Sequence, residues 1–322
     1  MGCDGSALLA GILFLRKSLS KNYQLNVKKC GRGGIISSSA RESQKKNLIM
    51  RLYTKYHVAL RTLIEIKHQL NIVVVGANDG KTNDPIYNFV MRRSGATNIL
   101  LIEPNKPLLP YLQSNYSSHP SHQIANCAIG KEGTLTLYAV KQEVWSLFQP
   151  AYAKGWPSYR AATGITSAIK SHLEEALVRQ NLVTDNAIDV LNVPAKELKT
   201  LLEELKWPTP IDVLQIDAEG YDDVVIYNSN LSYTRPKLIY FESSNMPKEK
   251  GKSLKNYLSK QWYNSYNLGR DTLAVDSRIN PTCISLNLIM LIHSGVELIF
   301  RVIRKLSVVM KGLIGRREKE PT

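Results

Sequence analysis

The sequence predicts an α/β fold, a mostly parallel, doubly wound sheet with an antiparallel pair of strands at one edge. Three observations predict it. Aliphatic and β-branched runs recur without alternation, as in strands buried on both faces of a parallel sheet. Apolar residues at helical spacing fill the intervals, which is the rhythm of βαβ units. Acidic residues stand at or just past the carboxyl ends of the runs, where open α/β sheets bind ligands.

In chain order, "NLIMRLYTKYHVALRTLIEIKHQ" from Asn47 to Gln69 sets apolar residues between lysines and arginines and reads as an amphipathic helix. It leads into "NIVVVGANDG", whose Ile72 to Val75 form the first strand. Helical spacing resumes through Ile86, Phe89, Val90 and Met91, and "ATNILLIEP" gives a second strand ending at Glu103. A helix around Leu108 to Leu112 precedes a third strand in "HQIANCAIG". "GTLTLYAV" alternates like a half-buried strand. Residues 141–170 mix Trp, Pro, Gly and Tyr without a period, as in a functional loop or lid, and their aromatic rings suit either stacking on a sugar or packing that lid. A helix at Ser171 to Arg179 follows, then a helix in "PAKELKTLLEELKW", the strand "IDVLQID", a helix from near Gly220, and the strand "PKLIYFE" ending at Glu242. "WYNSYNLG" and "DTLAVD" read as the closing strand pair, and no repeat of 20–50 residues is present.

The net charge of +15 over 322 residues is concentrated at the ends. Residues 1–70 hold 13 Lys/Arg against 3 Asp/Glu, residues 284–322 hold 7 against 3, and residues 71–283 are almost balanced at 22 against 21. The central body therefore presents no net positive field to a polyanion, and nucleic acid is not an expected partner. Cys3, Cys30, Cys127 and Cys283 form no C-x-x-C pair, which suggests neither a zinc site nor a disulfide framework and fits the cytoplasm. His119 and His122 in "HPSH" read as solvated loop residues, so no metal is expected.

No apolar run is long enough for a spanning helix. "MGCDGS" fits the acylation pattern, with Gly2 as acceptor, Ser6 in place and Cys3 as a second lipid site; residues 16–46 are basic and serine-bearing like a transit peptide, and a plain flexible tail is the third reading. The division expected is a basic, flexible segment 1–46, a catalytic domain 47–283, and an apolar and basic helical tail 284–322 that suits either packing or a peripheral membrane contact.

Asp79, Glu103, Asp217, Glu219 and Glu242 all fall at or beyond strand ends, and that shared placement marks a site. The "GANDG" turn, Gly76 to Gly80, lets backbone approach a ligand closely. Glu103, at the second strand end, is placed to accept from ribose hydroxyls. Asn78 stands where a dinucleotide fingerprint needs its second glycine, which favours a ligand without a pyrophosphate, such as S-adenosylmethionine. Asp217 and Glu219 are expected to point into the crevice, whereas Asp222 and Asp223 are expected in the first turn of the next helix, facing water and the helix dipole.

Taken together, "VVVGANDG", "LLIEPNKPLLPYLQSN", "NCAIGKEGTLTLY", "IDVLQIDAEGYDDVVIYN" and "RPKLIYFESSN" resemble, in order and spacing from about Asn71 to Asp276, the FkbM-type S-adenosylmethionine-dependent methyltransferases. The resemblance implies a Rossmann-like methyltransferase fold acting mostly on hydroxyl oxygens of sugars, glycans or secondary metabolites. It implies that Gly76, Ala77 and Asn78, with Asp79 and Gly80 completing the turn, bind the cofactor, with Glu103 on its ribose. Asn126 and Ala128 fall near the adenine, Asp217 at the methionine end and Glu219 toward the acceptor. Val74 departs from the pattern, since the family usually has an acid two residues before the first glycine; Asp79 is the substitute expected from across the turn. Glu219 is the first choice of general base and Asp217 the second, and Glu242 either binds substrate hydroxyls or ends a strand. A nucleic-acid methyltransferase and a non-catalytic module retaining the fold are the alternative functions.

Overall fold

A large sheet is assembled from the runs just described. The protein is represented by a computed structural model that describes residues 55–244, 246–278, 280 and 282–294. The acylation pattern, the basic segment 1–46 and the tail beyond 294 lie outside the described residues. The chain divides into two compact units, one being Leu63–Arg278.

Seven strands form the main sheet of that unit: β1 (Leu70–Val75), β2 (Thr97–Ile102), β3 (His122–Ala125), β7 (Val213–Ile216), β8 (Leu238–Glu242), β9 (Tyr263–Asn267) and β10 (Asp271–Asp276). Their order is β3-β2-β1-β7-β8-β10-β9. Strands β1, β2, β3, β7 and β8 are mutually parallel, and β10 runs antiparallel to both β8 and β9, which is the expected edge pair. The order reverses between β1 and β7, paired from Ile72 with Val213 to Val75 with Ile216, so the switch point lies beyond Val75 and Ile216.

Both sheet faces are buried, as unalternating strands require. Val73, Val75, Leu100, Ile102, Leu214 and Ile216 form one core with α7 (Leu198–Glu204), α8 (Asp222–Tyr227) and α10 (Lys248–Lys260). On the other face Ile72, Val74, Ile99 and Leu101 are buried as well. Helices α2 (Tyr87–Arg92) and α3 (Leu109–Tyr116) occupy the first two crossovers.

A second, three-stranded sheet has the order β4-β6-β5, from β4 (Ala128–Ile129), β5 (Gly133–Val140) and β6 (Ile188–Lys196). The expected third strand is therefore broken: after Ala125 the chain leaves the main sheet and Ala128 and Ile129 pair with β6. Pro194 to Lys196, read from sequence as the start of a helix, end β6 instead, and α7 begins at Leu198. The segment between β5 and β6 comprises the aperiodic stretch 141–170, folded into short helical pieces, among them α4 (Arg160–Thr163), then the expected helix as α5 (Lys170–Val178), and α6 (Thr184–Ala187). It has an apolar cluster of its own, including Trp145, Phe148, Ala162, Leu173 and Leu177.

In the second unit the described residues are 55–62, 280 and 282–294. Helix α1 (Lys55–Lys67) crosses the boundary in sequence, and residues 282–294 are helical, with Cys283, Leu286, Ile289 and Met290 buried and Ile284, Leu288, Leu291 and Ile292 exposed. Among the described residues no helix is long and apolar enough to cross a membrane.

Candidate active site

The switch point opens into a cleft lined by Gly76, Asn78, Glu103, Ala128, Asp217 and Glu219. Six residues singled out in the sequence, five following the ends of β1, β2 and β7 and one opening β4, thus meet in one hollow.

The glycine turn is shaped by left-handed backbone at Gly76 (φ 76°), Asn78 (φ 50°) and Gly80 (φ 68°). Asn78 tolerates that region better than most side chains. At Gly76 nothing larger fits, because a β-carbon there would lie 1.9 Å from the Asp217 carbonyl oxygen. The backbone of the turn therefore runs directly against the end of β7.

Glu103 braces this turn. Its Oε2 accepts the Asn78 N–H at 2.7 Å and its Oε1 accepts the Asn105 N–H at 2.7 Å. Each carboxylate oxygen keeps a lone pair for a ligand hydroxyl. Burial pushes the Glu103 carboxyl up to about 7, opposed by those two N–H groups and by the Arg160 charge.

Asp217 and Glu219 leave β7 together. Glu219 holds a left-handed backbone (φ 46°), unusual for a long side chain, and is followed by Gly220 (φ 90°). Its carbonyl accepts the Ser167 hydroxyl at 2.8 Å, while its carboxylate has no hydrogen-bond partner among the described residues. Burial, then the charges of Asp217 and Glu242, raise the Glu219 carboxyl well above the usual carboxylate range. Asp217 is open to the cleft but otherwise enclosed by protein, and desolvation lifts it to about 6 against the opposing pull of Arg160.

Several expected contacts are placed differently. Asp79, the expected substitute for the acid missing at Val74, is 1% exposed and does not line the cleft. Its Oδ1 accepts the N–H groups of Lys81 and Thr82, and its Oδ2 accepts the Tyr159 hydroxyl. It holds the turn from behind, as does Gly80, where a β-carbon would strike Leu112 and Tyr116. Ala77 is buried and donates its N–H to the Ile102 carbonyl. Asn126 donates its two amide hydrogens to the carbonyls of Glu103 and Pro104, linking the ends of β3 and β2. Glu242 lies outside the cleft lining, its Oε1 accepting from Arg270 Nη2 and Ser244 Oγ, each at 2.8 Å.

Asp222 and Asp223 begin α8 as expected but do not face water, being 1% and 5% exposed. The helix start is covered by the end of β8 and by α10. Asp222 Oδ1 accepts the Glu242 N–H at 3.1 Å, and Lys250 lies 3.6 Å from Asp223 Oδ2. Asp222 Oδ2 has no hydrogen-bond partner among the described residues, and burial, reinforced by Asp217, pushes this carboxyl up to about 8. His119 is likewise buried rather than solvated, its Nε2 at 3.0 Å from Thr97 Oγ1; no metal-binding group of side chains is present among the described residues.

The opposite wall comes from the stretch that sequence marks only as an aperiodic loop or lid, with no individual residue singled out. Arg160, Thr163, Gly164 and Ser167 line the cleft from the inserted segment, and the amide of Asn78 hydrogen-bonds Thr163 Oγ1 at 3.3 Å. Of its aromatic residues, Trp145 is buried with Nε1 bound to the Val140 carbonyl, and Tyr159 stacks on Tyr111 at 4.2 Å. These two rings pack the segment.

The cleft has the features an adenosyl ligand requires. It offers backbone without a β-carbon at Gly76, an anchored carboxylate at Glu103, an apolar patch at Ala128 and, at Asp217 and Glu219, carboxylates with no hydrogen-bond partner among the described residues.

Residues 75–268 match the family described as the methyltransferase FkbM domain. Several solved structures align with the chain, among them two methylating enzymes. One is precorrin-6y C5,15-methyltransferase from Geobacter metallireducens GS-15, at 11% identity over 70% of this chain and 87% of that one, TM-score 0.31. The other is ribosomal protein L11 methylase from Lactobacillus delbrueckii subsp. bulgaricus, at 8% identity over 70% and 79%, TM-score 0.32. No curated protein matches the chain.

Proposed function

From the premise that the chain belongs to the FkbM methyltransferase family and is a methyltransferase, we propose that it uses S-adenosylmethionine to methylate a hydroxyl oxygen of a sugar, glycan or secondary metabolite. One observation carries the reading: Gly76, Glu103, Asp217 and Glu219, drawn from the ends of β1, β2 and β7, line a single cleft.

In this reading the turn at Gly76 and Asn78 seats the cofactor, Glu103 accepts from its ribose hydroxyls and Ala128 flanks its adenine. When bound, the cofactor supplies an electrophilic methyl group whose bond electrons return to sulfur as the new C–O bond forms. Glu219 takes the acceptor proton in that step, since its raised carboxyl pKa makes it a stronger base than an ordinary glutamate. The Arg160 charge opposes that rise and favours the ionised carboxylate. Asp217 orients the reacting groups from the same strand end. Acceptor specificity then falls to the inserted segment, whose residues form the facing wall.

Calorimetric titration with S-adenosylhomocysteine, followed by transfer of labelled methyl from S-adenosylmethionine to a panel of glycans, hydroxylated metabolites and RNA, tests the proposal. Saturable binding and an alkali-stable methyl ether on a hydroxylated acceptor are expected. No binding would leave a non-catalytic module, and label in RNA would replace the acceptor class.

A further inference from the structure

Arg160 is the one Lys or Arg among the described residues that line the cleft. It is 8% exposed, donates from Nε to the Thr82 carbonyl at 3.1 Å, and stands 3.8 Å from Asp79 Oδ1. Its guanidinium lies against the Trp156 ring, 5.6 Å from the centroid, and over Gly164, where a β-carbon would fall 2.3 Å from Nη1. Among the described residues neither Nη1 nor Nη2 makes a hydrogen bond. A nearly buried guanidinium with idle N–H groups is costly, and its fork geometry best matches a planar, two-oxygen anion.

The position of this fork narrows the anion. Thr163, on the same short helix, hydrogen-bonds Asn78 in the glycine turn, so Arg160 is docked beside the turn that seats the cofactor. The cofactor assigned above carries a single carboxylate, at its methionine end, and no phosphate. We propose that the Nη fork of Arg160 binds the α-carboxylate of S-adenosylmethionine. The inserted segment then belongs to the cofactor site as well as to the acceptor wall. This inference rests on the cofactor reading above.

The test measures dissociation constants of the full-length protein, without acceptor, for S-adenosylhomocysteine and for its decarboxylated analogue, which keeps the amine. The wild type is expected to prefer S-adenosylhomocysteine by roughly tenfold or more, the scale of a charge-assisted bidentate pair. Arg160→Gln should remove most of that preference while leaving affinity for the analogue unchanged, and Arg160→Lys should restore part of it. Unchanged analogue binding also reports that the variant is folded. Equal losses for both compounds, or no loss for either, would overturn the proposal, the second result pointing to an acidic acceptor as the partner of Arg160. Independently of any variant, equal wild-type affinity for the two compounds would overturn it. A wild type that binds neither removes the cofactor reading itself, and the inference with it.

Discussion

Gly76 crosses the carbonyl of Asp217 so closely that a β-carbon would stand 1.9 Å from its oxygen, while the Asp217 N–H donates to the Val75 carbonyl at 2.9 Å. The end of β1 and the end of β7 are thereby locked in one spatial register. Gly76→Ala must force them apart and also strain a backbone at φ 76°. We expect it to cost on the order of 3 kcal/mol in denaturant unfolding and to weaken S-adenosylhomocysteine binding more than tenfold. Gly95→Ala, with nothing within 4 Å of the added carbon, is the control and should stay within about 0.5 kcal/mol of wild type.

Glu219→Gln should lower kcat by roughly 100-fold or more with the dissociation constant for S-adenosylhomocysteine unchanged. The base works ionised and its carboxyl is raised by burial and by Asp217. In the wild type kcat/KM should therefore climb with pH through a midpoint above the ordinary carboxylate range, a midpoint shared by the pair. Full turnover in the glutamine variant would remove Glu219 as the base.

Glu103→Ala leaves the N–H groups of Asn78 and Asn105 without their acceptor. Each stranded donor costs about 1–3 kcal/mol, so unfolding should shift measurably even without ligand. Cofactor affinity should fall further than that of Asn126→Ala, because Asn126 contributes only a brace to the Glu103 and Pro104 carbonyls.

Asp222→Asn should stabilise the protein at alkaline pH. In the folded chain this carboxyl titrates near 8, against an ordinary 3.8, so the folded state holds the proton more tightly than the unfolded one. Stability therefore falls as pH rises between those values and levels off above about 8. Asparagine keeps an oxygen for the Glu242 N–H and carries no charge. A rise in Tm that is largest at pH 9, smaller at pH 5 and absent below about pH 4 is the expected series of results.

The parallel strands were legible because burial on both faces writes them as unbroken apolar runs, and β1, β2, β7 and β8 lie where those runs predict. Strand β6 was hidden by its content: Val190 is 60% exposed, which destroys the alternation, and Pro194 mimics a helix start. The acids at the strand ends could be listed from sequence, but their exposures could not. Asp222 is buried by the Glu242 backbone and by α10, elements that follow it in the chain. Arg160 left no trace at all, since an arginine in an aperiodic stretch has no spacing that reports which wall it will join.

Val140 pairs with Ile188, so the two ends of the segment between β5 and β6 emerge side by side from one hairpin. Its apolar cluster draws on residues from Val140 to Ile188. A module whose entry and exit are adjacent, and which carries its own filling, can be lengthened, shortened or exchanged with little disturbance to the strands that hold Gly76 and Asp217. That freedom stops at Tyr159, Arg160 and Thr163, which hydrogen-bond Asp79, Thr82 and Asn78, so the excursion can vary on either side of this anchor but not at it.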